Sequence, residues 1–276
     1  MADELERARK AVRELSRTLK SLPMDPPPEE VHKLRTTTRR VEAIVSVLAQ
    51  VEGKESRRVL KSIEPIRKAA GGVREVDVMI VNARKLVRSS ADDSLTRLLE
   101  HLQIARHQNA VELRRVLGRR RDTARENLKQ YSRFIRTALA PEKEAASLSG
   151  LPAHSHEGVH SAAIKVVREL GEWPPLNAEN IHAFRLKVKE LRYILQLSAD
   201  ANPGLADALG NVQRLIGDWH DWQQLEEVAR GLLNSERDGT LLTRIGETSR
   251  RRFNQALTAA NTLRGKYLTM PFAQGV

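Results

Sequence analysis

Apolar residues recur at intervals of three and four along nearly the whole chain, and this spacing limits the fold more than any other feature of the sequence. In the N-terminal segment they all fall on one face of a helix: Leu5, Ala8, Val12, Leu15, Leu19 and Leu22. No segment shows the alternation of apolar and polar residues, bounded by turn residues, that is typical of a half-buried strand. The sequence therefore predicts an all-α fold.

The same periodicity places the helices between prolines and glycines. It predicts helices over residues 5–22, 29–51, 54–70, 73–88, 94–118, 120–140, 157–172, 178–200, 203–216, 218–234 and 238–267. Residues 141–156 are rich in Pro, Ser, Gly and Ala, a composition typical of a linker. We therefore expect two helical parts, residues 1–145 and residues 146–276.

Three segments of the first half recur in the same order in the second half. The pairs are Lys10–Leu15 with Lys165–Leu170, Val31–Arg35 with Ile181–Arg185, and Ile66–Asp77 with Val212–Gln223. The offset between the partners falls from 155 to 150 to 146 residues, as expected if loops shortened after a duplication. The sequence thus predicts two similar helical units that arose by internal duplication.

The chain carries 47 Lys and Arg residues against 35 Asp and Glu residues, a formal net charge of +12. An excess this large indicates a nucleic acid, an anionic membrane surface or another polyanion as partner. The absence of cysteine excludes a disulfide framework and Cys-ligated metal sites, and it fits a reducing cytoplasm. Because we find neither a secretory signal nor a transmembrane stretch, we expect a cytoplasmic protein without a membrane partner.

A stripe of cations lies beside the apolar face of one predicted helix and recurs in the second half. The first stripe is His32, Arg35 and Arg39, and the second stripe is His182, Arg185, Lys189 and Arg192. Like charges at these spacings destabilise a helix by roughly 0.2–0.5 kcal/mol per pair, which favours a bound anion there. Arginine offers a planar fork of donors suited to phosphate oxygens, and an adjacent phosphate favours the protonated form of histidine. The alternative is a solvated helix face, the usual place of Lys and Arg.

Two further lysines occupy matching places in the repeat, Lys10 in the first half and Lys165 in the second. They are weaker candidates for the same surface, because a solvated helix face explains them equally well.

Together these segments resemble the CHAD family, the conserved-histidine α-helical domain. The motifs that carry the resemblance are Val31–Arg35 followed by Arg39 and Arg40, Ile181–Arg185 followed by Lys189 and Leu191–Tyr193, Gly72–Val78, and Leu215–Asp221. Each motif is short, but their order and duplication make the match fairly specific, and it spans roughly residues 5–268.

The resemblance implies two four-helix bundles related by an approximate two-fold axis, with the stripes facing a central basic cavity or pore. It implies binding of inorganic polyphosphate without catalysis and without a metal or cofactor, and hence an association with polyphosphate granules. The site residues that we expect are His32, Arg35, Arg39, Arg40, Arg74, His182, Arg185, Lys189, Arg192, His220, Lys10 and Lys165.

The chain departs from the family pattern at two places. Glu42 stands where the first stripe usually continues with Arg, and it would weaken an anion site locally or pair with Arg35 or Arg39. The family's Arg-Asp-x-Asp pattern appears as Arg74-Glu75-Val76-Asp77. Glu75 keeps the negative charge of the aspartate that it replaces, and we expect it to keep the same role, which is to position Arg74 or a neighbouring helix.

Two other functions, and a purely structural scaffold, are weighed against polyphosphate binding. Net charge alone supports a nucleic-acid-binding protein, although few aromatics are available for base stacking. His182, His220, Asp221 and Asp238 loosely follow the ligand order of HD-type metal phosphohydrolases, in which a metal activates water. The repeat argues against that enzyme, because Arg74 and Glu75 stand at the positions that match His220 and Asp221.

Overall fold

The structure is a computed structural model that describes residues 2–48, 54–87, 93–138, 156–197 and 202–268. Eight α-helices and a terminal π-helical turn, Arg264–Leu268, occupy almost all of these residues. The helices are α1 (Ala2–Ser21), α2 (Pro28–Leu48), α3 (Lys54–Arg84), α4 (Asp93–Ala138), α5 (His156–Gly171), α6 (Ile181–Leu197), α7 (Pro203–Leu232) and α8 (Ser235–Leu263). No strand occurs in these ranges, so the prediction of an all-α fold is confirmed.

Three of the helices are longer than the periodicity predicted. Residues 54–70 and 73–88 were expected as two helices, but α3 runs continuously past Gly71 and Gly72. Likewise α4 continues through Gly118 and α7 through Gly217. A glycine costs a helix about 1 kcal/mol relative to Ala, which tertiary packing can offset, so a glycine alone does not end a helix.

The described residues of Met1–Val81 and Leu99–Pro152 form the first of two compact units. Its core contains apolar residues from α1, α2, α3 and α4, among them Leu15, Leu34, Ile66 and Leu128. The buried carboxylate of Asp77 on α3 accepts a hydrogen bond from Nε of Arg106 on α4, with 2.8 Å between the two atoms. This ion pair joins α3 to α4 inside the unit, a role in positioning a neighbouring helix.

The second unit contains the described residues of Asn82–Leu98 and Ala153–Val276. Its core is built from α5, α6, α7, α8 and the terminal π turn, and includes Phe184, Ile216 and Trp219. The helix α7 begins at Pro203 because the side chain of Asn202 caps it, accepting from the backbone N of Leu205.

The division at residue 145 and the internal duplication stay predictions. The second unit as found also takes in the described residues of Asn82–Leu98. The predicted linker over 141–156 lies outside the described residues except for its last position. Within the described ranges, no helix combines the length and the apolar character that crossing a membrane requires.

Candidate anion-binding site

The first stripe lies on α2, at the border between the buried and the exposed face of the helix. Leu34 and Val41 are fully buried in the core of the first unit and so fix the rotation of α2. Arg35 and Arg39 are therefore half-buried, and His32 is exposed. Long cations in such positions pack their stems against apolar neighbours and keep their charged ends near water.

Arg35 and Arg39 line a cavity of about 240 Å³ together with residues of α3. The α3 residues are Arg67, Lys68, Gly71, Gly72 and Glu75. A Cβ added at Gly71 would meet its nearest neighbour, Oε1 of Glu75, at 4.0 Å, so the glycine leaves open space on this side of α3. Four cations and one carboxylate line the cavity, and two of the cations, Arg67 and Lys68, form ion pairs with Glu42 and Glu64. These side chains still sum to a charge of +1, which favours an anion.

Glu42, the acidic departure in the first stripe, is paired with α3. Its Oε2 lies 3.0 Å from Nε of Arg67, and both side chains are about one-third exposed or less. Arg67 is a partner that the sequence analysis did not consider. The carboxylate at this position therefore neutralises a cation of the neighbouring helix that also lines the cavity.

The pKa of His32 lies below the ordinary value of a histidine. Neighbouring side chains remove part of its hydration, and the positive charges of Arg74 and Arg35 further lower its pKa. Arg74 of α3 is therefore close enough to the first stripe to act on it electrostatically. The lowered pKa means that His32 is mainly neutral at pH 7 when no anion is bound.

The second stripe lies at the same kind of border on α6. Phe184 and Leu191 are fully buried in the core of the second unit. Arg185, Lys189 and Arg192 are half-buried, and His182 is exposed. Residues 31–42 of α2 and 181–192 of α6 share the same degree of burial at every position except Thr37, which is buried, and Lys187, which is half-buried.

Gln213 of α7 holds two arginines of the second stripe. Its backbone carbonyl accepts a hydrogen bond from Nε of Arg185 at 3.3 Å, and its side-chain Oε1 accepts one from Nη1 of Arg192 at 3.0 Å. Gly217, one turn further along, approaches Arg185 closely, because a Cβ there would stand 3.3 Å from Nη2. The helix α7 thus positions the two guanidinium groups in two ways. Gln213 accepts their hydrogen bonds, and Gly217 leaves room for Arg185.

His182 and His220 lie side by side, with 5.9 Å between their ring centroids. The repeat pairs His220 with Arg74, and the structure places each of these two residues near the stripe histidine of its own unit. The ring N–H groups of these neighbouring histidines can serve as adjacent donors to an anion.

The other three predicted residues lie apart from these contacts. Arg40 is exposed and pairs with Glu14 of α1, with 3.0 Å between Nη1 and Oε2. It follows Arg39 by one residue, and so it points about 100° around the helix from the stripe. Lys10 and Lys165 are exposed on α1 and α5, the helices that precede those bearing the stripes.

Asp238, a ligand in the phosphohydrolase alternative, has its oxygens occupied by other groups. The carboxylate is buried and accepts hydrogen bonds from Ser94, from Arg97 and from the backbone N of Asn234. Ser94, Asn234 and Arg97 together lower its pKa. Among the residues that the structure describes, no group of three or more His, Cys, Asp or Glu side chains could hold a metal ion.

A larger and more open cavity, of about 840 Å³, lies on α7 and α8. Its charged lining residues are Arg214, Glu247, Arg250, Arg251 and Arg252, and it includes no residue of either stripe. It therefore extends the basic surface of the second unit without belonging to the predicted site.

Sequence reasoning missed Arg67, Lys68 and Gln213. A signal for Arg67 was present, because Arg67, Gly71 and Arg74 are spaced i, i+4 and i+7 and so share one face of α3. The repeat offset of 146 residues carries Arg67 onto Gln213, which would have pointed to both residues together.

The fold and the two stripes define an all-helical protein with a half-buried row of cations in each unit. The family model described as the CHAD domain matches residues 6–230. The chain therefore belongs to the CHAD-domain family, as the sequence motifs predicted.

A solved structure supports the same fold. The chain is similar to the crystal structure of the CHAD domain from the plant Ricinus communis, with a TM-score of 0.68 and 14% sequence identity. The similarity covers 96% of this chain and 92% of that one. No curated protein matches the sequence significantly.

Proposed function

We propose that the protein binds inorganic polyphosphate, without turnover, on the basic surface of α2 and α3 in the first unit and of α6 and α7 in the second. The observation that carries the proposal is the half-burial of Arg35, Arg39, Arg185, Lys189 and Arg192 beside glycine-bearing helices. Cations that only contact solvent would not need to be held half-buried against a neighbouring helix. The ligand is the one that the family resemblance implies.

The chemistry of these surfaces suits phosphate groups. Guanidinium groups bind two phosphate oxygens at once through parallel N–H donors, and such charge-assisted bonds are about twice as strong as neutral ones. A half-buried side chain is already partly ordered, so it loses less conformational entropy when an anion binds. A polymer of phosphates offers many equivalent oxygens, so no single register on the stripe is required.

Nucleic acid is the competing ligand, and aromatic residues argue against its single-stranded form. Trp219 and Trp222 are buried, and so neither offers a free face for base stacking; Phe134 on α4 is an exposed aromatic side chain. Charge alone supports nucleic acid.

A competition experiment at one salt concentration separates the two ligands. We expect long-chain polyphosphate to displace a fluorescent single-stranded or double-stranded oligonucleotide at a lower phosphate concentration than unlabelled oligonucleotide does. Equal or stronger competition by the oligonucleotide would make nucleic acid the ligand. Polyphosphate that shortens during incubation with purified protein and divalent metal would instead support a phosphohydrolase.

The lowered pKa of His32 gives the binding a pH dependence. In the free protein the imidazole is neutral at pH 7, and a bound phosphate favours the imidazolium, so a proton is taken up on binding. We expect the affinity for polyphosphate to rise by about threefold to tenfold as the pH falls from roughly 8 to 6, and to level off only below the lowered pKa of the free protein.

The variant His32→Gln distinguishes proton uptake by His32 from proton uptake by the polyphosphate itself. Its affinity should depend less steeply on pH than that of the wild-type protein when both are titrated with the same polyphosphate. Superimposable pH profiles would show that His32 takes no part in binding.

A further inference from the structure

Glu42 and Arg67 in the first unit occupy the places of Arg192 and Gln213 in the second. The offsets of the repeat, 150 and 146 residues, carry Glu42 onto Arg192 and Arg67 onto Gln213. Each pair joins the second helix of its unit to the third, and each contact measures 3.0 Å. The two contacts therefore occupy equivalent places. The arginine stands on α3 in the first unit, whereas it stands on α6, the counterpart of α2, in the second.

The exchange alters the charge of the two surfaces. Glu42 and Arg67 neutralise each other, whereas Arg192 is held by an uncharged amide and keeps its full positive charge. Gln213 thus orients a cation without competing for it. A carboxylate in the same contact offsets the positive charge that would otherwise attract a phosphate.

Arg67 retains the means to bind an anion. It lines the cavity that contains Arg35 and Arg39. Its Nε is buried and, although Glu42 is close, donates no well-aligned hydrogen bond within the part of the chain that the structure describes. A guanidinium has five N–H donors, and a single carboxylate does not use all of them.

We propose that Arg67 is a phosphate ligand of the first unit and that Glu42 acts as a tethered competitor, which makes the first unit the weaker of two polyphosphate-binding surfaces. This inference rests on the proposed function. The second unit, in which Gln213 stands in the equivalent contact, is the stronger surface.

Two conservative substitutions with opposite expected effects on affinity test the inference, each by titration with long-chain polyphosphate. Glu42→Gln releases Arg67 and is expected to raise the affinity by about threefold to tenfold. Gln213→Glu places a carboxylate against Arg192 and is expected to lower the affinity by about tenfold. The gain from Glu42→Gln should disappear in Glu42→Gln/Arg67→Gln.

Matched controls separate the local contact from net charge. Glu55→Gln also removes a carboxylate from an ion pair, that with Arg58, but away from the cavity. Gln103→Glu adds a carboxylate at an exposed position of α4. If the wild-type protein binds and both test variants match their controls, the inference alone is overturned. If neither the wild-type protein nor any variant binds polyphosphate, the proposed function and the inference both fall.

Discussion

Replacing Arg35 and Arg185 together by Glu is expected to lower the affinity for long-chain polyphosphate by about a thousandfold. Each arginine is half-buried in its stripe, and each charge-assisted contact with a phosphate contributes about 1.5–3 kcal/mol, or roughly tenfold to a hundredfold in affinity. Either single reversal should cost about tenfold, because the stripe of the other unit stays intact. Isothermal titration calorimetry on the single and double variants measures the difference.

The matched control reverses the charge of two arginines outside the stripes by replacing each with Glu. Arg133 on α4 and Arg237 on α8 are exposed, and their double reversal changes the net charge by the same amount. We expect it to weaken binding only by a few fold, through the long-range field. Equal losses in the two double variants would show that net charge, and not the stripes, determines binding. Circular dichroism and the milder Arg35→Gln/Arg185→Gln variant show whether a loss comes from misfolding.

Gly171→Ala is expected to destabilise the second unit by about 1–3 kcal/mol, the largest effect on stability that we expect from adding one methyl group. A Cβ at this position would stand 2.6 Å from the backbone oxygen of Leu268, an atom that cannot rotate away. Leu268 is itself buried in the core of the unit, and Arg264 donates a hydrogen bond to the carbonyl of Gly171 at 3.1 Å. Urea denaturation followed by circular dichroism measures the loss.

Gly118→Ala is the matched control, because the same methyl group there meets no atom within 4 Å. Gly118 lies inside α4, so the alanine should stabilise the helix by about 0.5–1 kcal/mol. A Gly171→Ala variant as stable as Gly118→Ala would contradict the close packing of the terminal π turn against the end of α5.

The buried faces of the helices could be predicted, but the continuity of three helices could not. The periodicity over residues 5–22 gave α1 almost to its bounds, because one core face determines the spacing. Glycine was interpreted as a helix end, whereas Gly72 serves packing: a Cβ there would lie 3.2 Å from Oδ1 of Asn109 on α4. Whether a glycine ends a helix or admits a neighbour depends on a tertiary contact that local sequence does not contain.

The same distinction holds for the candidate site. The helical wheel of α2 and α6 places the stripes correctly at the edge of the core, because the wheel depends only on positions within one helix. Arg67 and Gln213 reach the stripes from the next helix, and that helix pairing is tertiary. Arg40 belongs to the family motif, yet its pairing with Glu14 of α1 follows from packing that the motif does not describe.

A titration with long-chain polyphosphate, repeated at several salt concentrations, tests the central claim most directly. The stripes contain five permanently charged side chains: Arg35, Arg39, Arg185, Lys189 and Arg192. Neutralising phosphates releases their counterions, so we expect the logarithm of the affinity to fall linearly with the logarithm of salt concentration. For five neutralised phosphates the loss should be about a hundredfold to five-hundredfold between roughly 50 mM and 200 mM salt. Absence of binding at low salt, or an affinity that salt leaves unchanged, would contradict the claim.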